Sequence, residues 1–288
     1  MYLVEGPEMY KIISKREIAP NIISLEVAAP LIAKRVKPGQ FIILLVDERG
    51  ERIPVTVADY NRENGLIRIV FQVVGKTTAQ LSQMNEGDQL FSLVGPLGNP
   101  SEIDNYGTVV TVGGGTGIAS VYPITRELKE AGNRVISIIG AKTRDLIIME
   151  DEMKKASTEL LVTTDDGSYA RKGFVTEILD EVLQKEKDVK KVWAIGPAPM
   201  MKAACEVTKP YGIETIVSLN AIMVDGTGMC GSCRVTVNGE TKFVCVDGPE
   251  FNGHLVDWPE FMNRLARYGQ LEKLCFEAYR NACREENG

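Results

Sequence analysis

Residues 106–119 read YGTVVTVGGGTGIA, and this stretch decides the fold of the middle of the chain. A buried type of strand, Tyr106–Val112, runs directly into a cluster of glycines, and a helical pattern then continues to Ala131. A strand, a glycine-rich turn and a helix in this order expose backbone N–H groups at the start of the helix, where phosphates bind. The motif therefore predicts a nucleotide-phosphate site made of Gly114, Gly115, Thr116 and Gly117, and a tight turn that binds no ligand is the alternative.

Strands and helices alternate downstream of this motif, as in RVISIIGAK followed by DLIIMEDEMKKA. This alternation predicts a parallel sheet, whose ligands bind at the carboxyl ends of the strands. Gly196 and Pro197 follow one such strand and are predicted to contact the cofactor. Asp166, next to Asp165, follows another. A carboxylate there would accept a hydrogen bond from a ribose hydroxyl and repel a 2′-phosphate, which favours NAD(H) over NADP(H). The alternative is that the two aspartates only turn the chain.

Short β-rich runs separated by turn residues fill the part of the chain before residue 100, for example FIILLVDE and LIRIVFQVV. Runs of this length and spacing predict a small antiparallel barrel. Within them, the segment VGKTT at 74–78 ends a strand and begins a short helix. The N–H groups at that helix start, with Lys76 beside them, would bind a pyrophosphate, although a simple capped helix is an equal alternative.

The segment from Asp225 to Cys245, DGTGMCGSCRVTVNGETKFVC, combines one carboxylate with three thiols. With Asp225 as a ligand beside Cys230, Cys233 and Cys245, the spacing is that of a plant-type 2Fe-2S loop whose first cysteine is replaced. A zinc site or unliganded reduced thiols are the alternatives. The Asn238–Gly239 pair predicts a hairpin that returns Cys245 to the loop.

The composition is that of a soluble globular protein, with 288 residues, 44% hydrophobic, 25% charged and a net charge of −6. This charge gives no support for nucleic-acid binding, and no apolar run is long enough for a membrane span. The N-terminal sequence lacks the pattern of a signal peptide, so we expect a cytoplasmic protein. We predict three domains: an antiparallel barrel at 1–100, a Rossmann-like parallel-sheet α/β domain at 101–218 and a small cluster-binding domain at 219–288.

The strand RIPVT at 52–56, the VGKTT helix start and the exit GPLG at 95–98 together resemble the FAD-binding barrel of the ferredoxin-NADP reductase superfamily. The resemblance implies that FAD and its phosphates are held by seven residues. These are Arg52, Pro54, Thr56, Gly75, Lys76, Thr77 and Thr78. The superfamily usually has a tyrosine where this chain has Pro54, so the residue that stacks on the flavin ring is not identified.

The cluster segment closely resembles the small subunits of NADH-dependent reduced ferredoxin:NADP+ oxidoreductases, also described as sulfide dehydrogenase subunits. This resemblance implies that Asp225 ligates a 2Fe-2S cluster. It also implies a larger flavoprotein partner with 4Fe-4S clusters and an NADP(H) site. Ferredoxin would exchange electrons with this chain through that partner. FAD between NAD(H) and the cluster would convert electron pairs into single electrons, with no protein acid, base or nucleophile required. The electron-transfer subunit of dihydroorotate dehydrogenase and a zinc-stabilised nucleotide-binding regulator are the alternative functions.

Overall fold

The computed structural model describes residues 10–286. Its N-terminal part contains two short helices, α1 (Pro30–Ala33) and α2 (Lys76–Gln83), and a six-stranded antiparallel sheet. The strands are β1 (Ile12–Ala19), β2 (Ile22–Ala28), β3 (Phe41–Leu45), β4 (Ile53–Asn61), β5 (Leu66–Gln72) and β6 (Ser92–Leu97). They are arranged in the order β1-β2-β5-β4-β3-β6. Hydrogen bonds from Ile12 N to Asp88 O (2.8 Å) and from Leu90 N to Tyr10 O (3.0 Å) join the two edges of the sheet. The predicted antiparallel barrel is confirmed.

The alternation of side chains along the strands explains why this sheet closes around a core. In β5, Ile67 and Ile69 are fully buried and Phe71 is 5% exposed. These three residues lie two apart and therefore point to the same face of the strand. They pack with the inward residues of β2 and β3 in one apolar cluster. Burying these side chains supplies the main driving force for closing the barrel.

The middle of the chain forms a parallel sheet covered by four helices. The strands are β7 (Thr108–Gly114), β8 (Arg134–Ala141), β9 (Glu159–Thr164), β10 (Arg171–Lys172), β11 (Val189–Ile195) and β12 (Glu214–Ser218). The helices are α3 (Gly117–Glu130), α4 (Glu150–Ala156), α5 (Val175–Lys185) and α6 (Ala198–Thr208). The strand order is β10-β9-β8-β7-β11-β12, so the chain leaves β7 first in one direction and then in the other. The crevice at this reversal, between the ends of β7 and β11, is where such sheets bind ligands.

One predicted helix begins later than its sequence suggests. The sequence DLIIMEDEMKKA predicts a helix from Asp145, whereas the structure has a 3-10 turn at Arg144–Leu146 and begins α4 only at Glu150. Met149 breaks the pattern, since its φ of 54° lies in the left-handed region. Ile148 and Met149 are 2% and 7% exposed, so the segment before α4 is used to bury these two side chains.

The C-terminal part begins with the hairpin β13 (Arg234–Val237) and β14 (Glu240–Phe243). Asn238 and Gly239 both have positive φ, at 53° and 77°, as a two-residue hairpin turn requires, and the predicted hairpin is confirmed. The chain continues through α7 (Val244–Asp247), β15 (Glu250–Asn252), α8 (Trp258–Ala266) and α9 (Gly269–Glu286), with a 3-10 turn at Gly253–Leu255; an earlier 3-10 turn, Lys209–Tyr211, lies between α6 and β12. Strand β15 pairs antiparallel with β12 and adds a seventh strand to the α/β sheet, which the sequence did not predict.

The last helix returns to the barrel. The Tyr279 hydroxyl donates a 2.8 Å hydrogen bond to Oε1 of Gln83 at the end of α2. Leu271 and Leu274 on α9 are 59% and 62% exposed, so this helix buries little apolar surface within the described chain. Across residues 10–286, we find no helix with both the length and the apolar character needed to cross a membrane.

A set of hydrogen bonds, here called the barrel–cluster joint, ties the exit of the barrel to the segment after the cluster loop. The joint consists of Asn99, Ser101 and residues 246–250. The Asn99 side-chain amide donates to the carbonyls of Val246 (3.2 Å) and Asp247 (3.0 Å), and its backbone N–H donates to Gly248 (2.7 Å). The Ser101 hydroxyl donates to Glu250 Oε1 at 2.6 Å. The barrel and the cluster segment are therefore fixed to each other.

The carboxyl group of Glu250 makes this joint sensitive to pH. Glu250 as a whole residue is only partly buried, but its carboxyl group is enclosed by protein. This burial raises the pKa of the carboxyl group to about 7, although the hydrogen bond from Ser101 acts in the opposite direction. In the unfolded chain, Glu250 has the ordinary glutamate pKa of 4.5, so its carboxyl group binds a proton more tightly in the folded state. The contribution of Glu250 to stability is therefore complete below about pH 4.5 and is lost as the pH rises through 7.

We expect Glu250→Gln, which cannot ionise, to stabilise the folded chain above pH 7 by up to about 3 kcal/mol. Below about pH 4, where the glutamate is neutral in both states, the variant and the natural chain should melt alike. The measurement is the thermal unfolding midpoint between pH 4 and 9. Glu48→Gln is the control, because Glu48 is exposed. A Glu250→Gln difference that does not change with pH would contradict the assignment.

Candidate functional site

A cavity of about 1030 Å³ lies between the barrel and the carboxyl ends of the parallel strands. Its barrel wall includes Phe41 from β3 and residues 54–56 from β4. Its other wall includes residues 114–117 after β7 and residues 195–197 after β11. The cavity thus opens at the predicted crevice, and its volume is large enough to hold more than one ring system of a dinucleotide.

The glycine loop approaches this cavity with bare backbone. Gly115 has a φ of 56°, and a Cβ added to it would meet no atom within 4 Å, so its backbone faces open space. Gly117 is different, because a Cβ there would overlap the carbonyl oxygen of Ile195. Gly114, Thr116, Gly196 and Pro197 also line the cavity. The six predicted residues at the ends of β7 and β11 therefore lie together in the cavity wall, at the N-terminus of α3.

The two aspartates after β9 have different surroundings. Asp166 Oδ1 accepts hydrogen bonds from the backbone N–H (2.9 Å) and the hydroxyl (2.7 Å) of Ser168, so it stabilises the turn, and these bonds lower its pKa. Asp165 lines the cavity together with Lys142. Partial burial raises the pKa of Asp165, and Lys142 opposes that shift. Of the two, Asp165 lines the cavity, whereas the predicted Asp166 is not among its lining residues.

We expect Asp165→Asn to weaken the preference for NADH over NADPH. The substitution removes the charge that would repel a 2′-phosphate and leaves Lys142 to attract it, so the NADPH-to-NADH rate ratio should rise roughly tenfold, equivalent to about 1.4 kcal/mol. Stopped-flow reduction of the chain by each nucleotide measures the ratio. Asp166→Asn is the matched control, and a larger effect there than at Asp165 would contradict the placement.

The predicted flavin-binding residues of the barrel divide into two groups. Pro54 and Thr56 line the cavity, whereas Arg52 is exposed just before β4. The helix start from Gly75 to Thr78 lies outside the cavity lining. There, the Thr78 hydroxyl oxygen accepts from the N–H groups of Val74 and Gly75, both at 3.0 Å. Thr77 is 4% exposed and donates to Glu51 at 3.3 Å, while Lys76 is exposed. The Thr78 side chain thus serves as a cap at the start of α2.

Sequence reasoning missed part of the cavity wall. Phe41 pairs with Thr56 across β3 and β4 and supplies the aromatic side chain on the barrel side. The linker after β12 contributes residues 218–221 and Met223, and Pro249 from the barrel–cluster joint completes that end. The linker could have been predicted, because it follows the carboxyl end of a parallel strand. Phe41 could not, because its strand carries apolar residues at every position.

The cluster loop, residues 225–233, is held against the barrel. The backbone of Gly226 packs on the side chains of Ile43 and Leu97, where an added Cβ would come within 2.8 Å of each. Gly226, Gly228 and Gly231 all have positive φ, as a tightly curled loop requires. Cys233 and Cys245 are buried with their sulfur atoms 3.3 Å apart, and Cys230 is exposed on the loop.

Asp225 lies on the same curl but its carboxylate contacts backbone. Oδ1 accepts from Thr227 N at 2.7 Å and Oδ2 accepts from Cys230 N at 2.8 Å, and the first of these bonds leads the lowering of its pKa. Burial and the neighbouring Cys233 raise the pKa of Cys245. Within residues 10–286, these four groups do not converge on one point as a single metal ion would need. The sulfur atoms of Cys233 and Cys245 are adjacent, whereas Asp225 and Cys230 lie earlier on the loop and contact each other through the Cys230 N–H.

The sulfur of Cys230 has a polar neighbour that the sequence did not predict. Its Sγ lies 3.1 Å from the Ser232 hydroxyl, which is the leading cause of its lowered pKa. The carbonyl of Ser232 in turn accepts a 2.9 Å hydrogen bond from Nη2 of Arg264 on α8. The only histidine, His254, has its Nε2 at 3.0 Å from the Ile213 carbonyl oxygen, within hydrogen-bond distance.

Two family models match the chain. A model of the oxidoreductase NAD-binding domain matches residues 111–206, and a model of the iron–sulfur cluster binding domain of dihydroorotate dehydrogenase B matches residues 220–257. A homologue of the dihydroorotate dehydrogenase B electron transfer subunit from Thermotoga maritima is 51% identical over 275 residues, covering 95% of this chain and 96% of the relative. The chain belongs to the dihydroorotate dehydrogenase B electron transfer subunit family. The family member from Geobacillus thermodenitrificans is 33% identical and covers 85% of this chain and 96% of its own length.

Solved structures agree with this family assignment. In the structure of the NADH-dependent reduced ferredoxin-NADP oxidoreductase, studied for flavin-based electron bifurcation, one chain is 50% identical with a TM-score of 0.90. The match covers 96% of this chain and 99% of that one. Phthalate dioxygenase reductase, 19% identical with a TM-score of 0.59 over 82% of this chain and 93% of its own, shares the fold.

These comparisons confirm several predictions for this member of the electron transfer subunit family. The chain is an NAD(H)-dependent oxidoreductase subunit with a barrel, an NAD-binding α/β domain and an iron–sulfur domain. An iron–sulfur domain match favours iron over zinc at the cluster loop. Because its relatives are electron transfer subunits, the chain works with a larger partner subunit.

Proposed function

We propose that the chain is the small subunit of an electron-bifurcating complex of the NADH-dependent reduced ferredoxin:NADP+ oxidoreductase type. It holds FAD in the barrel, NAD(H) on the α/β domain and a 2Fe-2S cluster at Asp225, Cys230, Cys233 and Cys245. Electrons pass between these groups and a larger flavoprotein partner. The proposed partner carries 4Fe-4S clusters, an NADP(H) site and the contact with ferredoxin. A cytoplasmic location stays a prediction.

One observation carries this proposal: the cavity wall continues directly into the cluster loop. Met223 lines the cavity, and Asp225 follows two residues later. The loop then rests on Ile43, in the strand that supplies Phe41 to the cavity wall, and on Leu97, which pairs with Phe41 from the neighbouring strand β6. A cofactor in the cavity and a cluster in the loop would therefore be neighbours, as electron transfer requires.

The residues present fit the proposed groups. The open backbone at Gly115 suits close approach of a pyrophosphate, and the curl of three positive-φ glycines brings N–H groups toward the sulfur positions. The backbone N–H of Gly228 lies beside the sulfur of Cys245. When bound, FAD exchanges two electrons with nicotinamide and one at a time with a cluster. The chain's own task is to orient the nicotinamide at Gly196 and Pro197 and to exclude water with Phe41, Met223 and Pro249.

Cofactor analysis of the whole chain tests the proposal. Made anaerobically with iron available, the chain should contain FAD and equal amounts of iron and acid-labile sulfide, two of each per chain. NADH should bleach the flavin band in stopped flow, and NADPH should do so far more slowly. A colourless, sulfide-free chain that binds zinc would contradict the proposal. Co-purification from the native source then identifies the partner.

Asp225 is the residue that most affects the proposed cluster without removing it. We expect Asp225→Cys to retain iron and sulfide, because the new thiol keeps the spacing of the loop. The cluster potential should change, since a thiolate bonds iron more covalently than a carboxylate. A tenfold change in the ratio of reduced to oxidised cluster corresponds to about 59 mV, which a redox titration resolves. An unchanged midpoint would mean that Asp225 is not a ligand, and Asp151→Asn, at an exposed position on α4, is the control away from the loop.

A second candidate is an electron transfer subunit that serves dihydroorotate oxidation. The family model that matches residues 220–257 and the relatives at 33% identity favour it. The two candidates share every cofactor of this chain and differ in the partner. A co-purified subunit with 4Fe-4S clusters supports the first candidate, and one that oxidises dihydroorotate supports the second.

A further inference from the structure

Helix α8 holds a guanidinium group against the cluster loop. Trp258 and Phe261 are 7% and 1% exposed and anchor the helix, and Glu260 accepts a 3.0 Å hydrogen bond from the backbone of Thr236 in the hairpin. Arg264 follows one turn later and donates from Nη2 to the Ser232 carbonyl at 2.9 Å. Because these contacts hold the helix in the turn just before Arg264, they fix the backbone from which its side chain reaches the loop.

Ser232 transmits this contact to a proposed ligand. It lies between Cys230 and Cys233, and its hydroxyl oxygen is 3.1 Å from the Cys230 sulfur. A thiolate cannot donate, so when Cys230 binds iron the serine hydroxyl must be the donor. Arg234 adds a weaker contact, from Nη1 to the Gly231 carbonyl at 3.4 Å. Two cationic side chains therefore contact the segment between the two cysteines.

We propose that Ser232 and Arg264 raise the reduction potential of the cluster. This inference rests on the proposed function, because it assumes a cluster on Cys230. Reduction adds one negative charge to the cluster, and a hydrogen bond to a ligand sulfur stabilises the reduced form more than the oxidised one. The positive charge of Arg264 acts in the same direction. Arg264 is a positioning residue, since it reaches the sulfur only through Ser232.

The test is a redox titration of the full, anaerobically prepared chain, followed by the electron paramagnetic resonance signal of the reduced cluster. We expect Ser232→Ala to lower the reduced-to-oxidised ratio at a fixed potential about tenfold, or about 59 mV for a one-electron couple. Arg264→Gln should change it in the same direction. Ser232→Thr keeps the hydroxyl and Arg264→Lys keeps the charge, so each should recover at least part of the shift.

Resonance Raman spectra give a readout that misfolding would not mimic. Loss of the hydrogen bond to Cys230 should raise the iron–thiolate stretching frequency in Ser232→Ala. Arg267→Gln removes the same charge from the exposed end of α8 and should leave potential and spectrum unchanged. If Ser232→Ala loses the cluster, the Arg264 variants test the inference instead. A lower potential in Arg264→Gln than in Arg264→Lys supports it, and equal potentials contradict it.

The outcomes separate the two proposals. Unchanged potentials in Ser232→Ala and Arg264→Gln, with full iron and sulfide, would overturn this inference and leave the proposed function intact. A shift in Arg267→Gln as large as that in Arg264→Gln would also overturn it, because the effect would then be general charge. A natural chain without iron and sulfide would overturn the proposed function itself.

Discussion

Cys245→Ala is expected to abolish the iron–sulfur absorption of the chain and its delivery of single electrons, while NADH still reduces the flavin. Cys245 is 2% exposed, and its sulfur lies 3.3 Å from that of Cys233. A 2Fe-2S cluster needs four protein ligands, two for each iron, so removing this buried thiol leaves one iron with a single protein ligand. The measurements are acid-labile sulfide, visible absorption and NADH-dependent flavin bleaching.

Cys205→Ala is the matched control for this experiment. Cys205 is also buried, at 4% exposure, but it lies on α6 against Gly253 and outside the cluster loop. Both substitutions remove one sulfur from a packed interior and should destabilise the fold by similar amounts. Sulfide and absorption should persist in Cys205→Ala. If they also persist in Cys245→Ala, the proposed ligand set is incorrect.

Gly117→Ala is expected to slow NADH-dependent reduction about 100-fold while FAD and the cluster stay bound. An added Cβ would overlap the carbonyl oxygen of Ile195 and lie 2.8 Å from Cα of Gly196. Both neighbours are backbone atoms, so α3 and the end of β11 must separate. A displacement of about 1 Å at a positioning site costs on the order of 100-fold in rate.

The control is the same substitution at the start of another helix. Gly269 begins α9 as Gly117 begins α3, but a Cβ at Gly269 would meet nothing within 4 Å. Gly269→Ala should therefore leave NADH reduction unchanged. Dithionite should reduce both variants fully, which shows that the remaining centres are present. Equal NADH rates in Gly117→Ala and the natural chain would mean that the glycine loop does not position the nicotinamide.

The fold could be predicted where local patterns agree with the final packing. The strand, glycine loop and helix at 108–130 and the Asn238–Gly239 turn form as expected, because each depends on neighbours in sequence. The late start of α4 could not be predicted, since burial of Ile148 and Met149 outweighs local helix propensity. The pairing of β15 with β12 is equally non-local, and the domain boundaries at 100 and 218 stay predictions.

The site was predictable to a similar extent. Residues at the ends of β7 and β11 come together because parallel strands end at one edge. The choice between Asp165 and Asp166 depended on which carboxylate Ser168 binds, and no spacing rule gives that. The contact between Arg264 and Ser232 spans 32 positions and required the packing of α8 on the hairpin.

The addition of β15 to the α/β sheet limits how such chains can be recombined. A chimera with its crossover between Ser218 and Leu219 would take β12 from one parent and its edge neighbour from the other. The three residue pairs between those strands, and the hydrogen bonds of Asn99 in the barrel–cluster joint, would then connect segments from different parents. A functional chimera would therefore have to take Asn99, β12 and β15 from the same parent.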